Sequence, residues 1–176
     1  TVYGLSAKYD DSTAIRRLYA VKERPADKAI PILVGASSEI NEITSDFPPA
    51  AQILADGFWP GALTLVVKRS HRVPSIAAPG ETVAVRMPAH QWLLSLLQLV
   101  GPLAVSSANR SGQPPNLTAP SVTAVFGNHI DLIIDGGQMQ GGKPSTIVDC
   151  SVRPPTVLRD GPVTAKQLRA ALGVVG

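Results

Sequence analysis

The sequence predicts an α/β fold in which helices flank an open, twisted, mixed β-sheet. Strand-like and helix-like segments alternate along the chain, as in α/β domains. Several links between predicted strands are too short to hold a crossover helix, so the sheet should mix parallel and antiparallel pairs. Val, Ile, Leu and Ala are abundant whereas aromatic residues make up only 5% of the chain, a composition typical of a sheet covered by helices.

The first half of the chain begins with a strand-like segment and continues into an amphipathic helix. Asp11 or Ser12 can cap this helix, which runs to about residue 21. Lys22 follows Ile15 by seven residues, so it extends the apolar face of the helix and should point inward. The other elements predicted here are a strand at 29–34, short helices at 37–43 and 48–56, a turn at 59–61, and strands at 63–67 and 82–86.

The second half opens with a helix from about residue 89, in which Leu93, Leu96, Leu97 and Val100 lie at helical spacing. His90 lies three residues before Leu93, so we expect it on the same inward face. The remaining predicted elements are a short strand at 103–105, a loop at 110–120, a helix capped by Thr118 or Ser121, strands at 131–134, 146–150 and 156–159, and a helix capped by Thr164.

One domain spanning residues 1–176 is the expected organisation. A chain of this length with 44% hydrophobic residues can bury a core without metals or disulfides. The net charge of +3 favours anionic ligands but excludes the dense basic character of a dedicated nucleic-acid-binding module. Cys150 is the only cysteine, so it cannot form an internal disulfide, and we expect a small buried apolar residue rather than a catalytic thiol.

Cytoplasmic localisation is expected, because no signal peptide is visible and the longest apolar stretch, at 92–100, is too short to span a bilayer. The chain opens on Thr1 inside a strand-like segment, so an upstream N-terminal segment is expected to be missing from this sequence.

Polar residues stand where predicted buried elements end, which is where α/β folds build ligand sites. They are Lys22, Arg24, Arg86, Ser107, Asn109, Ser145 and Arg159. Unpaired cations with hydroxyl and amide donors suit a polyanion such as a nucleoside triphosphate. Taken singly, each has a more ordinary explanation, since Ser107 and Asn109 are common turn formers and Arg159 could pair with Asp160. The combination predicts the site.

Several familiar motifs are excluded. The Gly-rich segment 137–144 nearly fits G-x-x-x-x-G-K-[ST], but Pro144 stands where a hydroxyl is needed, and a strand follows instead of a helix. The patterns H-E-x-x-H, C-x-x-C and G-x-S-x-G are absent, and His71, His90 and His129 are not spaced as metal ligands. We therefore predict no metal site made by the protein alone.

Eight motifs together resemble the YrdC/TsaC family, the threonylcarbamoyl-AMP synthases of tRNA modification, over essentially the whole chain. In the family's order they are Thr1-Val2-Tyr3-Gly4-Leu5, Lys22-x-Arg24-Pro25, Phe58-Trp59-Pro60-Gly61-x-Leu63-Thr64, Val83-Ala84-Val85-Arg86-Met87-Pro88, Ser107-x-Asn109-x-Ser111-Gly112, Asp135-Gly136-Gly137, Ser145-Thr146-Ile147-Val148-Asp149 and Leu158-Arg159-x-Gly161. The resemblance implies a YrdC-like twisted open sheet with a concave basic cavity, in the short form without the additional C-terminal domain. Two features depart from the family: its Pro-Thr-Asp/Glu ahead of Thr1 is missing, and Leu33 lies near a position that is histidine in many members.

The resemblance further implies a nucleotidyltransferase that joins L-threonine, bicarbonate and ATP into threonylcarbamoyl-AMP, releasing pyrophosphate. Partner proteins of tRNA modification would then transfer the threonylcarbamoyl group to tRNA. By motif, the catalytic residues would be Lys22, Arg24, Ser107 and Asn109. Contacts to ATP would come from Arg24, Lys28, Arg86, Asn109 and Arg159, and contacts to L-threonine from Thr1, His90, Ser107 and Ser145. Mg²⁺ would arrive bound to ATP, because no carboxylate cluster is visible that could hold it alone.

Two other functions stay open at this stage. One is a carbamoyl-adenylate-forming domain related to hydrogenase maturation, whose carbamoyltransferases contain a YrdC-like module beside further domains. The other is an RNA-binding module without catalysis. Few aromatic residues and a charge of only +3 predict weak, salt-dependent binding to tRNA or double-stranded RNA.

Overall fold

The computed structural model describes residues 2–173, and within this range it contains eight strands and six α-helices. The strands are Gly4–Lys8 (β1), Ile32–Leu33 (β2), Thr44–Asp46 (β3), Leu63–Arg69 (β4), Thr82–Arg86 (β5), Leu103–Ser107 (β6), Thr146–Asp149 (β7) and Thr156–Arg159 (β8). The helices are Ser12–Lys22 (α1), Ile40–Ile43 (α2), Pro49–Phe58 (α3), Gln91–Val100 (α4), Ala119–Phe126 (α5) and Ala165–Ala171 (α6), with one 3₁₀ turn at Ser37–Glu39.

All eight strands form one mixed sheet, as the short strand connections predict. The order across the sheet is β1-β6-β2-β5-β4-β7-β8, and β3 pairs with β4 beside this path. The β2–β5 and β4–β7 pairs are parallel, whereas the other pairs are antiparallel. The predicted α/β fold with a mixed sheet flanked by helices is confirmed.

One row of apolar side chains crosses the middle of the sheet and forms its buried face. Ala104, Ile32, Val85, Leu65 and Val148 lie side by side on β6, β2, β5, β4 and β7. Each of them is at most 2% exposed. Because side chains alternate between the two faces along a strand, the residues directly before and after these five lie on the opposite face.

The opposite face of the sheet is only partly covered. Helix α4 covers Leu33 and Leu103 through its buried Leu97. Farther along the sheet, Ala84 on β5 and Val66 on β4 remain partly exposed on this side. We call this side the open face.

Helix α1 delivers a candidate site residue at its C-terminal end. Asp11 caps the other end, since its carboxylate accepts hydrogen bonds from the backbone N–H groups of Thr13 and Ala14 at 2.8 and 2.9 Å. The helix ends at Lys22, and Glu23 adopts a left-handed conformation with φ of 51° that closes the last turn. Lys22 is 1% exposed, so the prediction that it points inward is confirmed.

Two predictions of strands need correction, and one strand was missed. The strand at 131–134 is wrong: Leu132 is 75% and Ile134 is 44% exposed, and neither belongs to the sheet. The strand at 29–34 shrinks to β2, because the carbonyls of Lys28 and Ala29 accept hydrogen bonds from the Arg24 side chain instead of a neighbouring strand. The short polar β3 was not predicted, since its sequence Thr-Ser-Asp has no apolar alternation.

Helix α4 is less buried than its apolar spacing predicts. Leu97 is buried, but Val100 is 38% exposed, and Leu93 and Leu96 are only partly covered. The prediction that His90 shares an inward helical face is also wrong. His90 is exposed, has an extended backbone before the first turn, and uses its Nδ1 to accept a hydrogen bond from the Leu93 N–H at 3.4 Å.

Candidate active site

Five polar side chains lie on the open face of the sheet. Four of them lie one or three positions along the chain from a member of the buried row, and the fifth, Arg159, pairs with Ile147, the neighbour of Val148. Because side chains alternate between the two faces of a sheet, all five point to the open face. They are Thr64 (β4), Arg86 (β5), Ser107 (β6), Ser145, directly before β7, and Arg159 (β8). Four of the five belong to the site predicted from the sequence.

Ser145 and Arg159 form the centre of a first polar cluster. The Arg159 guanidinium donates from Nε and Nη2 to the Ser145 carbonyl at 3.0 and 2.8 Å, and from Nη2 to the Ser145 Oγ at 3.1 Å. The Oγ of Ser145 also lies 2.8 Å from the Oγ1 of Thr64. Arg86 belongs with them because its guanidinium lies in the electric field of Arg159, and its Nε donates to the Gly61 carbonyl at 2.8 Å. We call these residues the arginine cluster.

The two guanidinium groups of the arginine cluster lie in each other's electric field. Burial lowers the pKa of Arg86, and the positive charge of Arg159 lowers it further. Burial also lowers the pKa of Arg159. Both groups stay protonated at neutral pH. The open face therefore concentrates positive charge at one end, which an anionic ligand would neutralise.

Lys22, Ser107 and Asn109 form a second polar cluster, which we call the lysine cluster. The Lys22 ammonium group donates to the backbone carbonyls of Ser107 and Asn109. The Ser107 hydroxyl donates to the Asn109 side-chain carbonyl, while the Asn109 amide donates to the Gln113 carbonyl at 2.7 Å. Burial, with a smaller contribution from Arg24, lowers the pKa of Lys22 to about 8.

Arg24 and Lys28 lie in the connection that leads from α1 to β2. Arg24 holds this connection by donating to the Lys28 and Ala29 carbonyls at 3.0 and 2.8 Å. The Tyr19 hydroxyl donates to the same Lys28 carbonyl at 2.8 Å. The Lys28 side chain is exposed. Both cations therefore stand on an ordered turn after Lys22, and the charge of Arg24 acts on the Lys22 ammonium group.

None of the five candidate cations forms an ion pair with a carboxylate within residues 2–173. The two ion pairs of this range join Arg17 to Asp131 and Arg110 to Glu23. The guanidinium and ammonium groups of Lys22, Arg24, Arg86 and Arg159 contact neutral carbonyl or hydroxyl oxygens instead. Positive charge that no acid compensates is the arrangement that binds polyanions.

Ser107, the residue of the lysine cluster that belongs to a strand, lies apart from the arginine cluster on the open face. Ser107 is on β6, and Arg86 is on β5, two strands away. Extending the register of the strand pairs places Ser107 level with Thr82, which lies four residues before Arg86 on β5. Standard strand dimensions place the Cα atoms of Ser107 and Arg86 about 16 Å apart in a flat sheet. The two clusters therefore lie on different strands and at different levels of the sheet, and the twist of the sheet decides how close their side chains come.

Two residues with no predicted role join motifs that are far apart in the sequence. Thr64 contacts the Ser145 hydroxyl, and Tyr3 donates from its hydroxyl to the Gly137 carbonyl at 2.7 Å and to Asp135 at 3.0 Å. Both stand inside motifs that carry the family resemblance, which was the available signal. Their partners are 81 to 134 positions away along the chain, so the sequence could not show the contacts.

The remaining predicted site residues are only partly accounted for. Thr1 lies outside the described residues. His90 stands at the exposed start of α4, four residues after Arg86. The assignment of individual residues to ATP, to threonine or to catalysis stays a prediction, and so does the concave basic cavity.

A cavity of about 330 Å³ lies away from both clusters and is lined by Pro48, Cys150, Arg153 and other prolines. Cys150 is 3% exposed, and burial raises the pKa of its thiol to about 11, so it is protonated at neutral pH. The expectation of a small buried apolar residue is confirmed.

Within residues 2–173, no three His, Cys, Asp or Glu side chains group together as metal ligands. No helix in this range has the length and apolar character needed to cross a membrane.

A protein-family model for Sua5, YciO and YrdC, described as "Telomere recombination", matches residues 1–161. A Pyrococcus abyssi protein named threonylcarbamoyl-AMP synthase is 40% identical over 177 residues, covering 99% of this chain and 52% of that protein. A Mycobacterium tuberculosis relative is 39% identical over 175 residues, covering 99% of this chain and 81% of that protein. The chain thus spans about half the length of the Pyrococcus relative.

Solved structures agree with the fold. The crystal structure of Pyrococcus abyssi Sua5 in complex with L-threonine superposes with a TM-score of 0.92 at 39% identity, covering 99% of this chain and 52% of that one. Escherichia coli YciO superposes with a TM-score of 0.81 at 24% identity, covering 96% of this chain and 82% of that one, a likeness in fold alone.

Proposed function

The chain belongs to the Sua5/YciO/YrdC family, and from this premise we propose that it joins L-threonine, bicarbonate and ATP into threonylcarbamoyl-AMP with release of pyrophosphate. One observation carries the proposal. The arginine cluster and Ser107 of the lysine cluster share the open face, and none of the five candidate cations has an acidic ion-pair partner within residues 2–173. This arrangement suits two anionic substrates that must meet. The names of the relatives support the same reaction.

We assign the substrates to the residues as follows. The triphosphate and adenosine contact Arg24, Lys28, Arg86, Asn109 and Arg159. Threonine contacts Thr1, His90, Ser107 and Ser145. Support comes from the Sua5 structure in complex with L-threonine, which superposes on this chain at 39% identity.

The reaction proceeds in two bond-forming steps. The threonine amine and bicarbonate form a carbamate with loss of water. A carbamate oxygen then attacks the α-phosphorus of ATP, and the bond from that phosphorus to the bridging oxygen breaks as pyrophosphate leaves. Both approaching groups are anions, so the cations of the two clusters lower the barrier by offsetting their repulsion and by stabilising the departing charge. No step requires a covalent bond to the protein.

Lys22 and Arg24, with Ser107 and Asn109, form the proposed catalytic set. Lys22 holds the Ser107–Asn109 turn through its two carbonyl contacts, so it fixes where the Ser107 and Asn109 side chains stand. Fixed donors of this kind contribute by orienting reactants rather than by transferring protons. We propose Mg²⁺ as part of the ATP substrate, where it neutralises phosphate charge.

The product would be consumed by partner proteins that transfer the threonylcarbamoyl group to tRNA, in keeping with the tRNA role of the resembled family. Weak contact with tRNA itself is a secondary part of this proposal. The cations of the open face are its basis, and their small number predicts strong salt dependence.

The test is a pyrophosphate-release assay with full-length protein. We expect release only when ATP, bicarbonate and L-threonine are all present, together with a labile adenylate. Lys22→Met should lower the rate about 10- to 100-fold, because it removes a charge-assisted contact. Lys68→Met, at an exposed lysine of β4 outside both clusters, is the matched control and should retain the wild-type rate.

Two outcomes would contradict the proposal. Release that needs carbamoyl phosphate and ignores threonine would favour the carbamoyl-transfer alternative. Tight tRNA binding without turnover of any nucleotide would favour an RNA-binding module.

A further inference from the structure

The Ser145 hydroxyl is the meeting point of three elements on the open face. Arg159 of β8 approaches its Oγ at 3.1 Å and Thr64 of β4 at 2.8 Å, while Ser145 itself directly precedes β7. Ser145 is 8% and Thr64 is 3% exposed. Few acceptors are therefore available to the hydroxyl protons in this network, and counting donors and acceptors indicates the direction of each hydrogen bond.

The contact with Arg159 has a fixed direction. A guanidinium group only donates hydrogen bonds, so it occupies one lone pair of the Ser145 Oγ. The contact between Ser145 and Thr64 could run either way, since each hydroxyl has one proton and two lone pairs.

The deeper burial of Thr64 favours one direction. Its hydroxyl has no second hydrogen-bond partner within residues 2–173. If Ser145 donated to Thr64, the Thr64 proton would be buried without an acceptor, which is unfavourable. If Thr64 donates to Ser145, the one proton without a protein acceptor is that of Ser145, which is the more exposed of the two residues, and a ligand can accept it. The Ser145 Oγ then accepts two hydrogen bonds and keeps its own proton free.

We propose that Thr64 is a positioning residue that directs the Ser145 O–H at the amino-acid substrate. With both lone pairs of its oxygen occupied, Ser145 can act toward a ligand only as a donor. The positive charges of Arg86 and Arg159 beside it make a carboxylate the fitting acceptor. This inference rests on the proposed function, because it takes the amino acid to be threonine.

The test compares Thr64→Val, which removes the hydroxyl but keeps the side-chain shape, with Thr64→Ser, which keeps the donor. We expect Thr64→Val to raise the KM for threonine about 3- to 10-fold, the range for one net hydrogen bond, with the KM for ATP and kcat nearly unchanged. Thr64→Ser should restore a KM close to that of the wild type. Equal effects of both variants, or a loss confined to kcat, would overturn the proposal.

A double-mutant cycle with Ser145→Ala separates positioning from general structural damage. If Thr64 acts through Ser145, Thr64→Val should add nothing to the KM of the Ser145→Ala protein. Additive effects would overturn the proposal. Thr64→Ala replaces Thr64→Val if the latter lowers the melting temperature. Wild-type protein without threonine-dependent pyrophosphate release would refute the proposed function itself, a result distinct from these.

Discussion

The ammonium group of Lys22 donates to the backbone carbonyl of Asn109, 87 positions later in the chain. The same ammonium group also contacts the Ser107 carbonyl, so one buried cation at the end of α1 fixes the turn that follows β6. Two motifs far apart in the sequence, Lys22-x-Arg24 and Ser107-x-Asn109, thus form one physical unit. Its behaviour depends on the charge of a single side chain.

The first prediction concerns pH and the affinity for ATP. Burial lowers the pKa of Lys22 to about 8 from the ordinary value of 10.5, so Lys22 loses its charge as pH rises through about 8. Affinity for ATP, measured by calorimetry without threonine, should fall across this range, because neutral Lys22 no longer attracts the ATP phosphates. The phosphates themselves are already ionised, so their charge does not change. The Lys22→Met protein should bind ATP about 10- to 100-fold more weakly at pH 7 and show no such fall.

The stability of the ligand-free protein should change in the opposite direction. The folded state has the lower Lys22 pKa, so between about pH 8 and 10.5 the unfolded state binds more protons and stability rises with pH. Subtracting the denaturant unfolding curve of Lys22→Met from that of the wild type isolates this contribution. A wild-type affinity for ATP that stays constant from pH 7 to 9.5 would contradict the role given to Lys22.

The second prediction concerns Arg86. Its guanidinium lies in the field of Arg159, so the ligand-free protein should lose little stability when the charge is removed. Arg86→Met should keep its melting temperature within about 2 °C, because relief of repulsion offsets the lost contact with Gly61. ATP should stabilise it much less than the wild type, with an affinity lowered about 10- to 100-fold.

Arg69→Met is the matched control for Arg86→Met. Arg69 also donates to backbone carbonyls, those of Gly80 and Val73 at 2.9 and 2.6 Å, but it stands at the other end of β4 from Thr64. This variant should be less stable and still bind ATP normally. Similar ATP affinities in the two variants would show that Arg86 acts only through the fold.

Local patterns in the sequence were enough to predict the elements but not how they share a face. The strand at 82–86 and the inward direction of Lys22 follow from alternation and helical spacing, which need no tertiary information. That Arg86 and Ser145 share the open face depends on strand order and register. These are set by pairings between residues such as Leu65 and Val148, which no local pattern reveals.

The errors have the same origin. Leu132 and Ile134 alternate like a strand, yet they are exposed because no neighbouring strand accepts them. The contact between Thr64 and Ser145 was not predicted, because a threonine inside a strand gives no sign in the sequence of which distant residue it contacts. Family motifs identified the important segments, and the structure supplied the contacts within them.

The third prediction concerns the segment after Ile134. The Tyr3 hydroxyl accepts a hydrogen bond from the Gly136 N–H at 3.0 Å and donates to the Gly137 carbonyl at 2.7 Å. Tyr3→Phe removes these contacts. Hydrogen–deuterium exchange at Gly136 should become about 5- to 10-fold faster. Tyr9→Phe, whose hydroxyl contacts Glu42 at 3.2 Å, is the control and should leave Gly136 unchanged. Equal exchange in wild type and Tyr3→Phe would mean that other contacts hold the segment.

The last prediction tests why a glycine follows Arg159 by two residues. A Cβ atom on Gly161 would lie 2.2 Å from the Thr146 nitrogen and 2.7 Å from the Pro144 carbonyl oxygen, and neither backbone atom can move without shifting Ser145. Gly161→Ala should therefore cost about 1–3 kcal/mol in the free energy of unfolding, measured with denaturant.

The same substitution should also raise the KM for threonine, because the Ser145 hydroxyl loses its position between Thr64 and Arg159. Gly57→Ala is the matched control, since a Cβ at this helical position of α3 meets no atom within 4 Å. It should stabilise the protein by about 0.5–1 kcal/mol and leave the KM unchanged, because alanine is the better helix former. A Gly161→Ala protein with wild-type stability and KM would show that β8 can move away from Ser145 without consequence, and would remove the structural basis for joining Ser145 and Arg159 in one site.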